Sequence, residues 1–223
     1  AQLDQHRATV REQFDLMFGL EPEEAHKEPL TALVHVNSAT AGASLLREGG
    51  FEDAQADAAF KALRRLLDDA RVRHLSERGH QRLARVLPPL VRGAAKQFNP
   101  AVTLTRLCEL LAAIVRRSTY LSLLIERPEA LRQLIQLCSG SALIAGHIQR
   151  CPVVLDELLD PRTLYAPLRK SELKNEFARH LEACVDGDLD AEMDALRREK
   201  QTNVLRVAAA DLACAMPLMM VSD

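Results

Sequence analysis

The stretch DGDLDAEMDALRREK, residues 186–200, decides the fold. It opens with carboxylates at alternate positions, Asp186, Asp188 and Asp190, around Gly187. On a β-strand, residues i and i+2 point the same way, so two such carboxylates could hold a divalent metal and nucleotide phosphates. Within a helix, residues two apart diverge by roughly 200° and the pair is separated. The downstream residues AEMDALRREK are helix formers, and their apolar positions recur with a helical period. The stretch is therefore expected to start a helix, its acids capping free N–H groups and complementing the positive end of the dipole. A calcium loop is excluded too, because the required glycine is Ala191 and the terminal glutamate is Arg197. This helix is expected to run to about Met216, where Pro217 ends it. Its apolar stripe reads Leu189, Met193, Leu196, Val204, Val207, Ala208 and Leu212, and Asp194 and Arg198 are spaced as an i,i+4 ion pair.

The same period governs most of the chain upstream, and alternating strand patterns are nearly absent. A first helix is expected from about Leu3 to Phe18, with Leu3, His6, Val10, Phe14 and Met17 on one side and Gly19 as its stop. Residues 20–50 carry Pro22, Pro29, Gly42, Gly49 and Gly50 and read as irregular, with room for a short helix and for a short strand at Leu33–Val36. Helix returns from Phe51 to about His74, with Phe51, Ala54, Ala58, Leu63, Leu66, Leu67 and Ala70 as its stripe. Ser76 caps the next helix, which carries Leu83, Val86, Leu87, Leu90 and Val91 and a bend at Pro88-Pro89. Asn99-Pro100 opens a nearly apolar and therefore central helix with Leu104, Leu107, Leu110, Leu111, Ile114 and Val115. After it, IERPEALRQLI (125–135) and IQRCPVVLDELL (148–159) align on their prolines and read as two proline-started helices. Between them lies CSGSALIAG (138–146), small-residue-rich and the best candidate for a hinge. Asp160-Pro161 ends the second unit, and a helix from about Lys170 to Ala183 follows. The fold class is all-α: helical bundles of about 8–10 helices without significant sheet.

Composition narrows the function classes. The 223 residues hold 48% hydrophobic and 27% charged residues, and the net charge of −2 gives no electrostatic reason to expect nucleic acid. No apolar run reaches the roughly 18 residues that a membrane span needs, and nothing reads as a signal peptide. Cys108, Cys138, Cys151, Cys184 and Cys214 form no C-x-x-C pair and sit among apolar neighbours, so they read as reduced, buried residues of a cytoplasmic protein. The seven histidines, His6, His26, His35, His74, His80, His147 and His180, show no metal-ligand spacing. Ser139, Ser141 and His147 lack the G-x-S-x-G elbow and read as part of a helix cap, and Gly49-Gly50 lacks the Lys-Ser or Lys-Thr of a phosphate loop. The arginine-rich helices are interleaved with acids or apolar residues and read as solvated faces. No catalytic, cofactor-binding or metal-binding residue is assigned. The chain begins without methionine and stops after an apolar run, as an excised piece of a longer protein would.

Three stretches carry a resemblance: TYLSLLIERPEALRQLIQLCSGS (119–141), CPVVLDELLDPRTLY (151–165) and MDALRREKQTNVLRVAAADLACAMPLMMVSD (193–223). Together they resemble the middle of the bifunctional glutamine synthetase adenylyltransferase/adenylyl-removing enzyme family. Residues 75–90 and 102–118 match in character, and those before about Phe51 only loosely. The resemblance implies two nucleotidyltransferase halves. One removes AMP from a tyrosine of glutamine synthetase by phosphorolysis; the other attaches AMP from ATP, with magnesium. Glutamine and the PII signal protein are implied to set which half works. On this reading residues 1–137 are the helical end of the adenylyl-removing half, 138–150 a joint and 151–223 the helical lead-in to the adenylyltransferase half. The family's Gly-Ser-Asp-x-Asp motifs fall before Ala1 and beyond Asp223, and GDLD lacks the serine, so no catalytic residue is carried over. ATP and magnesium are implied for the parent enzyme and not for this chain. Besides a central non-catalytic coupling region, the residues leave open a stand-alone helical interaction module and, less readily, a complete small enzyme.

Overall fold

The computed structural model of the chain describes residues 29–184 and 188–213. A 3₁₀ segment, Pro29–Val34, leads into α1 (Ala39–Glu48), α2 (Asp53–Asp68), the single turn α3 (Ala70–Arg73), α4 (Glu77–Ala95), α5 (Pro100–Ile114), α6 (Ser118–Glu126), α7 (Pro128–Gly140) and α8 (Ala142–Arg150). A second 3₁₀ segment, Pro152–Leu159, precedes the single turn α9 (Pro161–Leu164), α10 (Lys170–Glu182) and α11 (Leu189–Leu212). Among the described residues there is no strand, so the fold is all-α.

The core is centred on α5. Leu104, Leu107, Leu110, Leu111 and Ile114 are fully buried, because this helix is covered by α2, α4, α7 and α8. A helix apolar on nearly every side can be satisfied only by neighbours on every side. On α4 the expected stripe Leu83, Val86, Leu87, Leu90 and Val91 is buried, and the Ser76 hydroxyl caps the helix by accepting from the Gly79 N–H at 3.3 Å. One cluster of buried side chains extends from Leu30 on the first 3₁₀ segment to Ala209 on α11.

Several expectations need correction. The expected helix at residues 3–18 lies outside the described residues, and residues 39–48 form the short helix for which the segment 20–50 left room, capped by Ser38. The Leu33–Val36 run is 3₁₀ and turn, and among the described residues there is no strand to pair with it. The helix after Phe51 breaks at Asp69 instead of continuing to His74, and its buried face is Ala56, Ala59, Phe60, Ala62, Leu63 and Leu66, leaving Ala54 and Ala58 exposed. Phe60, the largest side chain of that segment, fixes the rotation. The second proline-started unit, Pro152–Leu159, winds as 3₁₀ and not as an α-helix. Residues 138–150 are the end of α7 and all of α8, joined through the extended residue Ser141, with Ile144, Ala145 and Ile148 buried.

Asp69 and Asp160 build two corners of the same design. Each carboxylate accepts from the backbone N–H two residues on, at 2.8 Å from Arg71 and 3.0 Å from Arg162, and grips that arginine's guanidinium with both oxygens. The Arg71 guanidinium, then its backbone N–H, hold the Asp69 carboxyl down at about 2, well below the ordinary 3.8. A carboxylate depressed in the folded state stabilises the fold above its unfolded pKa, and that contribution disappears as the pH falls through the folded value. Asp69→Ala is therefore expected to cost about 1 kcal/mol at neutral pH. In urea melts the gap between variant and wild type should narrow as the pH drops from about 4 toward 2.

Candidate functional site

The acidic stretch that opened the sequence reading is a helix start. Asp188 is the N-cap of α11, and its Oδ1 accepts from the Ala191 N–H at 3.0 Å. Asp190 lies in the first turn, exposed, and Asp186 lies outside the described residues. Asp188 is thus already engaged by the backbone. Among the described residues no group of three or more histidines, cysteines, aspartates or glutamates is placed to hold a metal ion.

The other singled-out residues are structural in their contacts. Ser141 caps α8, its Oγ accepting from the Ile144 N–H at 3.3 Å. His74 and His80 sit against the backbone carbonyls of Ala70 and Ser76, one turn back. His147 reaches away from the serines to the Gln201 carbonyl on α11, Nε2 to oxygen 2.9 Å. His180 Nδ1 lies 3.3 Å from Glu199 Oε2, joining α10 to α11. His6, His26 and Cys214 lie outside the described residues. Cys108 and Cys138 are buried free thiols; burial pushes Cys138 up to about 12 against the opposing pull of Arg106, and raises Cys108 with help from Glu109. Thiols held protonated in this way are not nucleophiles.

What these contacts have in common is α11. Along its inner face Leu205, Ala209 and Ala210 are buried with three polar residues, Glu199, Thr202 and, half-buried, Asn203. The Arg206 Nε–H donates to Glu157 Oε2 at 2.7 Å, and both side chains are only 16% exposed. The Asn203 amide donates to Glu199 Oε1 at 2.7 Å. At the far end Gly140 lets the tip of α7 approach α11, where an added Cβ would meet Leu212 at 2.7 Å. Arg106 secures that tip from α5, donating to the carbonyls of Cys138 at 2.7 Å and Ser139 at 3.0 Å. Beside it the Tyr165 hydroxyl donates to Gln133 Oε1, and a cleft of about 300 Å³ opens between Gln97, Gln136, Ser139, Tyr165 and the end of α11. The site is thus an interface holding one long helix by a half-buried ion pair and a histidine–carbonyl contact. The expected pair Asp194–Arg198 is replaced by Asp194–Arg197 at 3.1 Å, and the stripe expected to face the core, Leu189, Met193 and Val204, faces solvent. Leu205, Ala209 and Ala210 turn inward in its place.

Residues 131–223 match the family described as glutamate-ammonia ligase adenylyltransferase. Over its whole length the chain is also 40% identical to the bifunctional glutamine synthetase adenylyltransferase/adenylyl-removing enzyme of Thioalkalivibrio sulfidiphilus (strain HL-EbGR7). The chain spans 24% of the length of that relative. Within the adenylyltransferase match fall α8, α9, α10, α11 and the second 3₁₀ segment, so His147, Glu157, Gln201 and Arg206 all lie inside it. Arg106 reaches the matched region from outside. No described helix is long and apolar enough to cross a membrane.

Proposed function

We propose that this chain is the central, non-catalytic helical region of an enzyme that adenylylates and deadenylylates a tyrosine of glutamine synthetase, and that it couples the two activities. The observation that carries this reading is the full-length identity to a bifunctional relative of which the chain spans only 24%. On this reading residues 1–137 belong to the adenylyl-removing half, 138–150 are the joint and 151–223 lead into the adenylyltransferase half. ATP and magnesium would serve the parent enzyme. The described residues do not fit them, because Asp188 is committed to the cap and Asp190 points elsewhere on the helix. Glutamine synthetase as substrate, the PII signal protein as regulator and a cytoplasmic setting belong to the same reading, with no nucleic-acid partner. Coupling would act through α11: a shift of this helix against α8 and the second 3₁₀ segment is a choice between two packings, which effectors can bias.

The test is Asp188→Asn with Asp190→Asn in the full-length enzyme. Asparagine keeps the capping oxygen, so the fold should be retained. Adenylyl transfer and removal are both expected to stay within about twofold of wild type, whereas loss of a metal-binding carboxylate would cost several kcal/mol of transition-state stabilisation. A hundredfold loss of either activity in a folded variant would refute the non-catalytic reading.

A further inference from the structure

One face of α4 is a row of cations. Arg78, Arg82, Arg85 and Arg92, with Lys96 at the C-cap, follow the i, i+4, i+7, i+14, i+18 spacing that aligns side chains along one side of a helix. The buried residues Leu83, Val86, Leu87, Leu90 and Val91 lie on the other side. Arg78, Arg85 and Lys96 are exposed and Arg82 is half-buried, and none of the four has an ion-pair partner among the described residues. Arg92, also half-buried, is engaged. The helix carries one acid, Glu77, which lies off the row and accepts from Gln81. Across residues 70–108 eight arginines and lysines stand against that single acid, in a chain of net charge −2, so the balancing acids lie elsewhere in the chain. Like charges four residues apart destabilise a helix, and a solvated face relieves this by alternating signs. The row on α4 does not alternate.

We infer that this row docks the acidic segment EPEEAHKE, residues 21–28, which lies outside the described residues. Glu21, Glu23, Glu24 and Glu28 set four carboxylates against one lysine. Chain connectivity delivers them to α4. The 3₁₀ segment Pro29–Val34, next in the chain, packs against α4 and buries Leu30 and Leu33. Leu30 sits toward the end of α4 that carries Arg92 and Lys96: a Cβ added at Gly49 would meet it at 3.0 Å, and one at Gly50 would meet Ala95 at 3.4 Å. The chain upstream of Pro29 therefore starts beside the row. Extended, residues 21–28 reach about 25 Å, and Arg78 to Lys96 spans about 27 Å at 1.5 Å per residue. Tethering also gives these carboxylates a high effective concentration at the row, ahead of any acidic partner in solution. A nucleic acid, the other ligand of arginine rows, would be repelled by the acidic remainder of the chain.

Zero-length carbodiimide coupling of the full-length protein tests this, because it joins a carboxylate to an amine only where the two touch, and Lys96 is the lysine of the row. The expected product, read by peptide mass, is an amide between Lys96 and one of Glu21, Glu23, Glu24 and Glu28. A mixture of isotope-labelled and unlabelled copies should give it within single chains. Arg82→Glu with Arg85→Glu should lower its yield roughly tenfold, as attraction turns to repulsion, and adding Glu23→Arg with Glu24→Arg should restore it. Arg82→Gln with Arg85→Gln, which keeps apolar stems along the helix, should lower the yield by a smaller factor and covers the case of a charge-reversed variant that does not fold. Lys96 joined to another copy, to a carboxylate outside residues 21–28 or to none would overturn the inference, as would a yield that ignores both pairs of substitutions in folded protein.

Discussion

Gly42→Val is expected to lower the melting temperature by roughly 4–12 °C, the value for about 2–3 kcal/mol in a domain of this size. Intrinsic propensity predicts the opposite sign. Gly42 lies in the interior of α1, where glycine is the poorest helix former after proline, and any side chain there should help by a few tenths of a kcal/mol or more. Packing decides otherwise. A Cβ at residue 42 would fall well inside contact distance of three ring atoms of Phe60 on α2. Phe60 is itself 4% exposed and cannot swing out without emptying the space between α1, α2 and the core. By contrast, Gly93 on α4 would meet mainly the terminal methyl of Ile135, a flexible end that can yield, so Gly93→Ala should be the milder change. The decisive measurement is a double-mutant cycle. Phe60→Ala alone should cost about 3–5 kcal/mol, and in that background Gly42→Val should be close to neutral because the ring it struck is gone. Equal costs of Gly42→Val in both backgrounds would show that the contact with Phe60 is not the cause.

That position also marks where the sequence stops being readable. In α4 and α5 the leucines and valines contrast with arginines or stand in unbroken runs, so the buried faces could be read directly from spacing. In α1 the residues ATAGASLLRE are mostly small, and their burial comes from how closely backbones approach, which hydropathy does not encode. In α11 apolar residues lie on both faces with the same period, and periodicity cannot say which face meets the body. The stripe containing Leu189, Met193 and Val204 was the more hydrophobic choice, yet the body selected Leu205, Ala209 and Ala210, two of them alanines. The cap at Asp188 was legible because capping is local, set by one turn of helix. The ion pair Glu157–Arg206 was not, because its partners are 49 residues apart and only the corner at Asp160-Pro161 and the return of α11 bring them together.

Glu157→Gln is expected to destabilise the fold by about 1–3 kcal/mol, less than the 3–5 kcal/mol of a fully buried pair because some solvent still reaches both groups. The glutamine keeps the shape and one acceptor, so the loss reports the unpaired Arg206 guanidinium left at a largely desolvated contact. Arg206→Met should cost a similar amount by stranding Glu157. Joining Arg206→Met with Glu157→Leu removes both desolvation penalties and should return stability to within about 1 kcal/mol of wild type, so the cycle should show strong non-additivity. Melts of the three variants check this, and single variants that unfold like wild type would remove the pair from any account of how α11 is held. The functional consequence follows from where the pair sits. Besides the buried side chains beneath α11, the attachments of this helix to α8 and the second 3₁₀ segment are Glu157–Arg206 and the 2.9 Å contact of His147 with the Gln201 carbonyl. If α11 carries the coupling, each single substitution should change the ratio of adenylylating to adenylyl-removing activity in the full-length enzyme, and the double substitution should restore it. A ratio that ignores the singles while the melts respond would mean that the pair holds the helix in place but that effectors act elsewhere, since a ligand moves an equilibrium only through contacts that differ between its two states.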